Sequence, residues 1–292
     1  MGALLVIGDV VTDVVATPSG PLTPGTDTTA RIVMRPGGSG ANTAAWAGHR
    51  GADTALLARV GADSADWHAT ALRAEGVRCH FRVDPTVSTA VVMALIEPDG
   101  ERTMVTDRGA GALLSETDWD DALLDGVARL HVSGYLLFSP AGRQLYDTAM
   151  RAAHRREVPV SVDPASTGYI EQFGVQAFRD AIAPVDLLLP NLDEARLLTG
   201  ETDPAAAATT LSARHGMAAV TCGAAGAVLA VAGAVTAHVA ARQVDVTDSV
   251  GAGDAFTGAF LAGLLAGDDP AAALEHGCVT AAEAVQRIGG RP

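Results

Sequence analysis

The feature that most constrains this chain is an alternation of two residue patterns. Short aliphatic, β-branched runs (ALLVIGDV, TALLARVG, ARLHVSG, PVSVDPA, VDLLLPN) are separated by longer stretches of helical periodicity (GANTAAWAGHRG, DWHATALRAEG, RQLYDTAMRAAHRR, DEARLLTG). Runs that are apolar nearly throughout belong to strands covered on both faces. The pattern therefore predicts an α/β fold, a three-layer arrangement in which helices cover both sides of a mostly parallel sheet. Ligands in that architecture gather beyond the carboxyl ends of the strands. The rhythm continues through GMAAVTCG and ends in two helices.

Two segments break the rhythm. TDTTARIVMRPGG and HFRVDPTVSTAVVMALIEPDGERTMVTDRG read as antiparallel strands, with P-D-G at Pro98–Gly100 marking a turn. They are expected to stay out of the parallel sheet and to form a small antiparallel β lid from about residues 12–36 and 80–108. The whole of 1–292 is read as one domain, with neither internal repeat nor low-complexity linker. A lid over a strand-end site is one use for such a sheet, and an edge extension without function is the other reading.

Composition narrows the chemistry. A net charge of −14 gives a field that repels nucleic acid and anionic membrane surfaces, so no nucleic-acid or membrane partner is expected. From His215 to Ala241 there is no Arg, Asp or Glu, yet Gly223, Gly226 and Gly233 punctuate the stretch at turn-like intervals, which predicts short buried strands and not a membrane span. MGALLVIGDVVTD lacks a basic leader and reads as a first strand, so a cytoplasmic location is expected. Cys79, Cys222 and Cys278 have no zinc or disulfide spacing and read as free thiols. All 20 basic residues are arginine. Without lysine there is no Walker-type phosphate loop, no Schiff-base chemistry and no kinase strand lysine.

The chain nevertheless carries two glycine clusters. In DSVGAGDAFTGAFLAG, small residues Gly251, Ala252 and Gly253 precede an apolar helix, and RQVDVTD before them reads as a strand. Unpaired N–H groups and the positive end of the helix dipole make such a junction an anion site. Asp254 beside an anion is unfavourable for binding alone but suits a base that takes the proton of an attacking hydroxyl. The alternative is that Asp254 simply caps its helix. In RPGGSGANTAAWAG, Gly37, Gly38 and Gly40 open a second helix with Asn42 in its first turn, where backbone and amide groups can approach a polyhydroxylated ligand.

PGGSGANTAAWAGHRGADTALLARVGAD resembles the N-terminal signature of the ribokinase-like, or PfkB, carbohydrate kinases, and DVTDSVGAGDAFTGAFLAG resembles their C-terminal signature. GDVVTD, NLDEA and VTCGAAG also stand in family positions, so the likeness spans the chain. It implies an ATP-dependent kinase acting on the hydroxymethyl group of a sugar or sugar acid, with ATP and Mg2+ as cofactors. A nucleoside kinase or, more remotely, a non-catalytic ligand-binding relative are the alternatives. It implies Asp254 as base, with the amides of Gly251, Ala252 and Gly253 as the anion hole. Asp13, Gly37, Gly38 and Asn42 match positions that hold substrate hydroxyls. Asn191 and Glu194 match the positions that organise magnesium through water, and Thr221, Gly223 and Gly226 match the loop along the nucleotide. Asp248, the Val250 carbonyl, Ala284, Arg287 and Gly289 match a cage for a monovalent cation such as K+. Arg108 reaches substrate or phosphate, or makes a surface ion pair; Asp163 helps hold magnesium, or caps a turn. A homodimer through the lid edges is a further expectation.

Two departures bear on specificity. Ser39 stands where ribose kinases have lysine, and Tyr135, Leu136, Leu137 and Phe138 stand where they have an acid. A sugar hydroxyl buried against leucine loses a hydrogen bond, at roughly 1–3 kcal/mol. The wall suits a sugar acid, a ketose or a nucleoside better than ribose, unless SGYLLF is core.

Overall fold

The computed structural model describes residues 2–22, 24–96 and 102–292. The chain opens with β1 (Ala3–Ile7), β2 (Val11–Pro18), β3 (Ala30–Gly37), α1 (Ser39–His49), β4 (Thr54–Gly61), α2 (Ala65–Ala74), β5 (Val77–Asp84), β6 (Ala90–Ile96) and β7 (Arg102–Asp107). There follow β8 (Val127–Ser133), a 3-10 turn at Gly134–Phe138, α3 (Pro140–Arg155), β9 (Val160–Asp163), α4 (Thr167–Phe173), α5 (Val175–Ala181), β10 (Leu187–Leu188), α6 (Leu192–Thr199) and α7 (Pro204–His215). Next come β11 (Met217–Thr221), β12 (Ala227–Val231), β13 (Ala234–Val239), α8 (Ala252–Ala266) and α9 (Pro270–Ala284).

Nine strands form one sheet in the order β13-β12-β11-β10-β9-β8-β1-β4-β5. It is parallel from β11 to β5, and β12 and β13 add an antiparallel edge. Every residue of β1 is buried, as its unbroken apolar run requires. Leu5 and Ile7 join the core under α3, α5, α6 and α7, while Leu4 and Val6 join the core under α1, α2, α8 and α9. From β1 the strand order runs one way to β4 and β5 and the other way to β8 and β9, which places a topological switch point at the carboxyl ends of β1 and β8.

A second sheet has the order β3-β2-β6-β7. Its outer pairs are antiparallel, and its central pair, β2 with β6, is parallel because the two strands come from separate parts of the chain. Register sorts its faces. Arg35, Asp13, Val92 and Thr106 stand in one cross-strand row and line the central cavity; Met34, Val14, Met93 and Val105 stand in the next row and point away.

Two expectations need correction. Residues 80–84, assigned above to the lid, belong to β5, which pairs with β4 through Gly61↔Asp84 and so extends the main sheet. RQVDVTD is not a strand: β13 ends at Val239, and the amides of Thr247 and Asp248 bond the Val285 carbonyl near the C-terminus instead of a sheet edge. The P-D-G turn at 98–100 lies outside the described residues. Among the described residues, no helix is long and apolar enough to cross a membrane, and Cys79, Cys222 and Cys278 are free.

Helices α1 and α8 cross without room for a methyl group, since a Cβ on Gly258 would lie 2.6 Å from the Thr43 carbonyl oxygen and 2.8 Å from Trp46 Cβ. Gly258→Ala is therefore expected to destabilise the fold by about 2 kcal/mol through overpacking. A thermal melt checks this, and an unchanged midpoint would show that the two helices tolerate separation.

Candidate active site

The two glycine clusters meet at the switch point, and their helix ends differ. Gly251 precedes α8 in left-handed backbone, with φ of 76°, and a Cβ there would fall 2.4 Å from Gly290 Cα. No side chain caps α8, and the Ala255 amide bonds the Gly251 carbonyl at 2.8 Å as the helix begins. The Ala252 amide makes a long turn contact of 3.4 Å to the Ser249 carbonyl. Gly251, Ala252 and Gly253 line the cavity at the positive end of the helix dipole. At α1, by contrast, the Asp9 carboxylate accepts the amides of Ser39 (3.2 Å) and Gly40 (3.1 Å). A second anion is excluded there, which leaves α8 as the bare terminus of the pair.

Asp254 does not cap its own helix. Its Oδ1 accepts the Ser39 hydroxyl at 2.9 Å and its Oδ2 accepts the Asn42 amide at 2.9 Å, so each cluster supplies half of one contact. Burial pushes the Asp254 carboxyl up to about 6 against the opposing effect of the Asn42 and Ser39 hydrogen bonds, and Asp9 adds to the rise. Asp13, on β2, is pushed up to about 6 by burial and then by Asp9, while Arg291 opposes the rise. Both acids line a cavity of about 380 Å³ between the two sheets.

Across the cavity, Asn191 and Glu194 form a capping box at α6: Asn191 Oδ1 accepts the Glu194 amide and Glu194 Oε2 accepts the Asn191 amide, both at 2.9 Å. Glu194 is nonetheless buried and pushed up to about 7, chiefly by that burial. Asp163 is raised by burial and by Glu194 and Asp254, and its Oδ1 accepts the Ala165 amide at 2.7 Å, so it does cap a turn. Asn191, Glu194, Asp163 and Thr221 all line the cavity. Gly223 and Gly226 lie outside that lining; they shape the β11–β12 turn, where a Cβ on Gly226 would strike the Val239 carbonyl oxygen.

Arg108 lines the cavity. Its guanidinium donates to the carbonyls of Tyr135 (2.8 Å) and Phe138 (3.1 Å), bracing the 3-10 turn at the cavity wall. That wall divides: Tyr135 and Leu136 line the cavity, whereas Leu137 is fully buried and Phe138 packs into the core beside Phe178. Asp248 accepts the amides of Val250 and Gly289, each at 3.0 Å, which draws the C-terminal loop to the anion loop. The Ala284 carbonyl accepts the Arg287 amide at 3.0 Å, and the Arg287 guanidinium sits 6.0 Å from the Trp46 ring centroid.

The model of the pfkB family carbohydrate kinases matches residues 1–292. The chain belongs to that family. It is 30% identical over 273 residues to a fructokinase from Klebsiella pneumoniae, covering 91% of this chain and 85% of the relative. It is 32% identical over 269 residues to the bifunctional protein HldE of Pseudomonas paraeruginosa, covering 87% of this chain but only 53% of that protein, so it spans about half the length of such relatives. The fold matches an adenosine kinase from Sinorhizobium meliloti with a TM-score of 0.89 at 24% identity, covering 100% and 96% of the two chains. It also matches a ribokinase-like E. coli protein in complex with ATP and Mg2+ with a TM-score of 0.86 at 24% identity, covering 99% and 94%. The ribokinase-like α/β fold and kinase activity are thereby established.

For this pfkB kinase, sequence reasoning missed Asp9, Arg35 and Tyr169, which line the cavity, and Arg291, which reaches Asn42 and Gly37. Asp9 was legible only as the residue that interrupts the first apolar run, and its capping of α1 depends on Gly38, whose φ of 96° turns the chain beneath it. Arg291 carries no local signal at all. Because Ser39 and Asn42 both donate to the ionised form of Asp254, replacing either by alanine is expected to raise that carboxyl further, by about one pH unit. Carboxyl-resolved NMR titration measures this; an unmoved midpoint in both variants would show that the contacts do not stabilise the charge.

Proposed function

We propose that this kinase transfers the γ-phosphoryl group of ATP to the hydroxymethyl group of a sugar or sugar acid, with Asp254 as the general base. The observation that carries the reading is the place of the Asp254 carboxyl, between the bare α8 terminus and the cavity that Asp13 also lines. The acceptor hydroxyl, held by Asp13 and Asn42 with Gly37 and Gly38 leaving room for the ring, attacks the γ-phosphorus. Its proton passes to Asp254, the bond from phosphorus to the β,γ-bridging oxygen breaks, and ADP departs. The amides of Gly251, Ala252 and Gly253 face the charge that grows on the transferred group. Thr221, Gly223 and Gly226 would lie along the nucleotide.

The donor set suits Mg2+: burial raises the proton affinity of both Glu194 and Asp163, Glu194 raises that of Asp163 further, and a divalent cation would relieve that repulsion. Glu194, through water, and Asn191 would hold it, and when bound it neutralises phosphate charge. K+ beside the anion loop is a parallel reading, with Asp248 and the Val250 carbonyl as ligands and Ala284, Arg287 and Gly289 completing the cage. The small sheet, closing over the acceptor, would exclude water.

A nucleoside acceptor is the second reading, and the cavity's apolar side favours it. Val15, Ala94 and Met104 on the small sheet and Tyr135 and Leu136 opposite could cover a base or another weakly polar substituent. ADP release in a panel of sugars, sugar acids and nucleosides separates the two.

Asp254→Asn should lower kcat by about a hundredfold or more while leaving ATP affinity within a few-fold, as a base acting in the transition state requires. Near-normal turnover would remove Asp254 from the chemistry. Asp13→Ala should mainly raise the acceptor KM, read from the same assay. Because Asp254 must be ionised to accept the proton, kcat/KM should fall about tenfold per pH unit below about 6; a flat profile down to pH 5 would contradict this. The exposed row Met34, Met93 and Val105, at 63%, 44% and 59%, suits a homodimer contact through the small sheet. Sedimentation of wild type against Met34→Glu tests it, and a wild-type monomer at assay concentration refutes it.

A further inference from the structure

The last residues of the chain are threaded between the two glycine clusters. The Trp46 indole donates to the Gly290 carbonyl at 2.9 Å, and the Gly289 amide bonds Asp248. Gly290 touches both sides: a Cβ there would lie 2.3 Å from Asn42 Nδ2, and Gly251 abuts its Cα. From this wedge Arg291 donates through Nη2 to the Gly37 carbonyl at 2.9 Å and through Nε to Asn42 Oδ1 at 3.4 Å. Its Nη1 is buried with no hydrogen-bond partner.

We propose that Arg291 is a positioning residue of the phosphoryl-transfer site, a planar fork that orients Asn42 toward Asp254 and sets a positive charge beside Asp13. Arginine can only donate, and an ionised carboxylate can only accept. With Arg291 at one end and Asp254 at the other, the Asn42 amide has one satisfactory orientation: Oδ1 to the guanidinium, Nδ2 to the base. The reversed amide would set oxygen against carboxylate and NH2 against guanidinium. The second half of the fork acts at Gly37. A Cβ on Gly37 would fall 2.1 Å from Asp13 Oδ2, so Asp13 and Arg291 flank a single peptide.

Asp13 needs such a neighbour. Asp9, Asp254 and Asp248 all raise its proton affinity, while Arg35, its cross-strand partner, spends a guanidinium donor on the Ile288 carbonyl at 3.1 Å. Arg291 is the cation that opposes them. Burial pushes Arg291 down to about 10, with Asp13, Cys79 and Asp9 opposing, which still leaves it charged at neutral pH. Burying a guanidinium is costly unless it is paired, so its place beside acids is the arrangement expected of a charge with a task.

The consequence for turnover rests on the phosphotransfer reading, but the test does not. Carboxyl carbons of Asp13 and Asp254 are titrated by 13C NMR in the full-length protein without ligands, with Asp13→Asn and Asp254→Asn assigning the signals. Arg291→Met should raise both midpoints by about one pH unit, the first through lost charge and the second through the freed Asn42 amide. Arg291→Lys should return Asp13 to within a few tenths of wild type while Asp254 stays raised, because an ammonium is a point donor that cannot span Gly37 and Asn42. Unmoved midpoints in an Arg291→Met protein that melts cooperatively would overturn the proposal. If that variant does not fold, Arg291→Lys decides alone: a split between the two midpoints supports the proposal, and joint movement or none overturns it. Failure of the general-base reading would look different, as full turnover by Asp254→Asn with the Arg291 titrations as expected.

Discussion

At Gly258 helices α1 and α8 approach until a single methyl group would strike the Thr43 carbonyl oxygen, and the geometry of the site follows from that contact. Ser39 and Asn42 lie in the first turn of α1, Asp254 in the first turn of α8, and bonds of 2.9 Å join them across more than 200 residues of sequence. Widening the helix pair by an ångström would take both donors beyond hydrogen-bond reach and leave a half-buried carboxylate without partners. The small side chains that composition shows throughout the chain are what permit this approach.

Local charge is the second constraint. Asp9, Asp13, Asp163, Glu194 and Asp254 line one cavity, and four of the five have their proton affinity raised by burial. Each is stabilised differently. Asp9 takes the α1 dipole, Asp254 takes two side-chain donors, and Glu194 closes a capping box. The bare α8 terminus is the feature that leaves this acidic chamber able to receive an anion. An anion at the α8 terminus and the ionisation of Asp254 would thus be coupled through the shared field.

Much of the architecture was legible because it rests on local patterns. The apolar run of β1 and the helical spacing of α3 determine burial wherever they occur, and Gly-Ala-Gly before an apolar helix needs no distant partner to open a helix end. Legibility failed where pairing was decided remotely. RQVDVTD has strand character, yet its last two residues, Thr247 and Asp248, bond the Val285 carbonyl instead of a sheet edge. Residues 80–84 look like lid by alternation, but β4 supplies a free edge on the main sheet first. Arg108, read as a ligand contact or a surface ion pair, also satisfies the carbonyls of a turn whose shape the local sequence does not announce.

The sequence by itself determined the strand and helix alternation, the open helix end before Asp254, and the absence of lysine from any phosphate site. These depend on backbone freedom, side-chain size and residue type, which are local. The tertiary structure alone decided that Asp254 meets Ser39 and Asn42 instead of capping its helix, that Tyr135 and Leu136 face the cavity while Leu137 does not, and that Arg291 reaches Asn42 from the far end of the chain. Hydrogen bonds and buried charges are satisfied by whichever partner packing brings near, and that partner need leave no trace in the neighbouring residues.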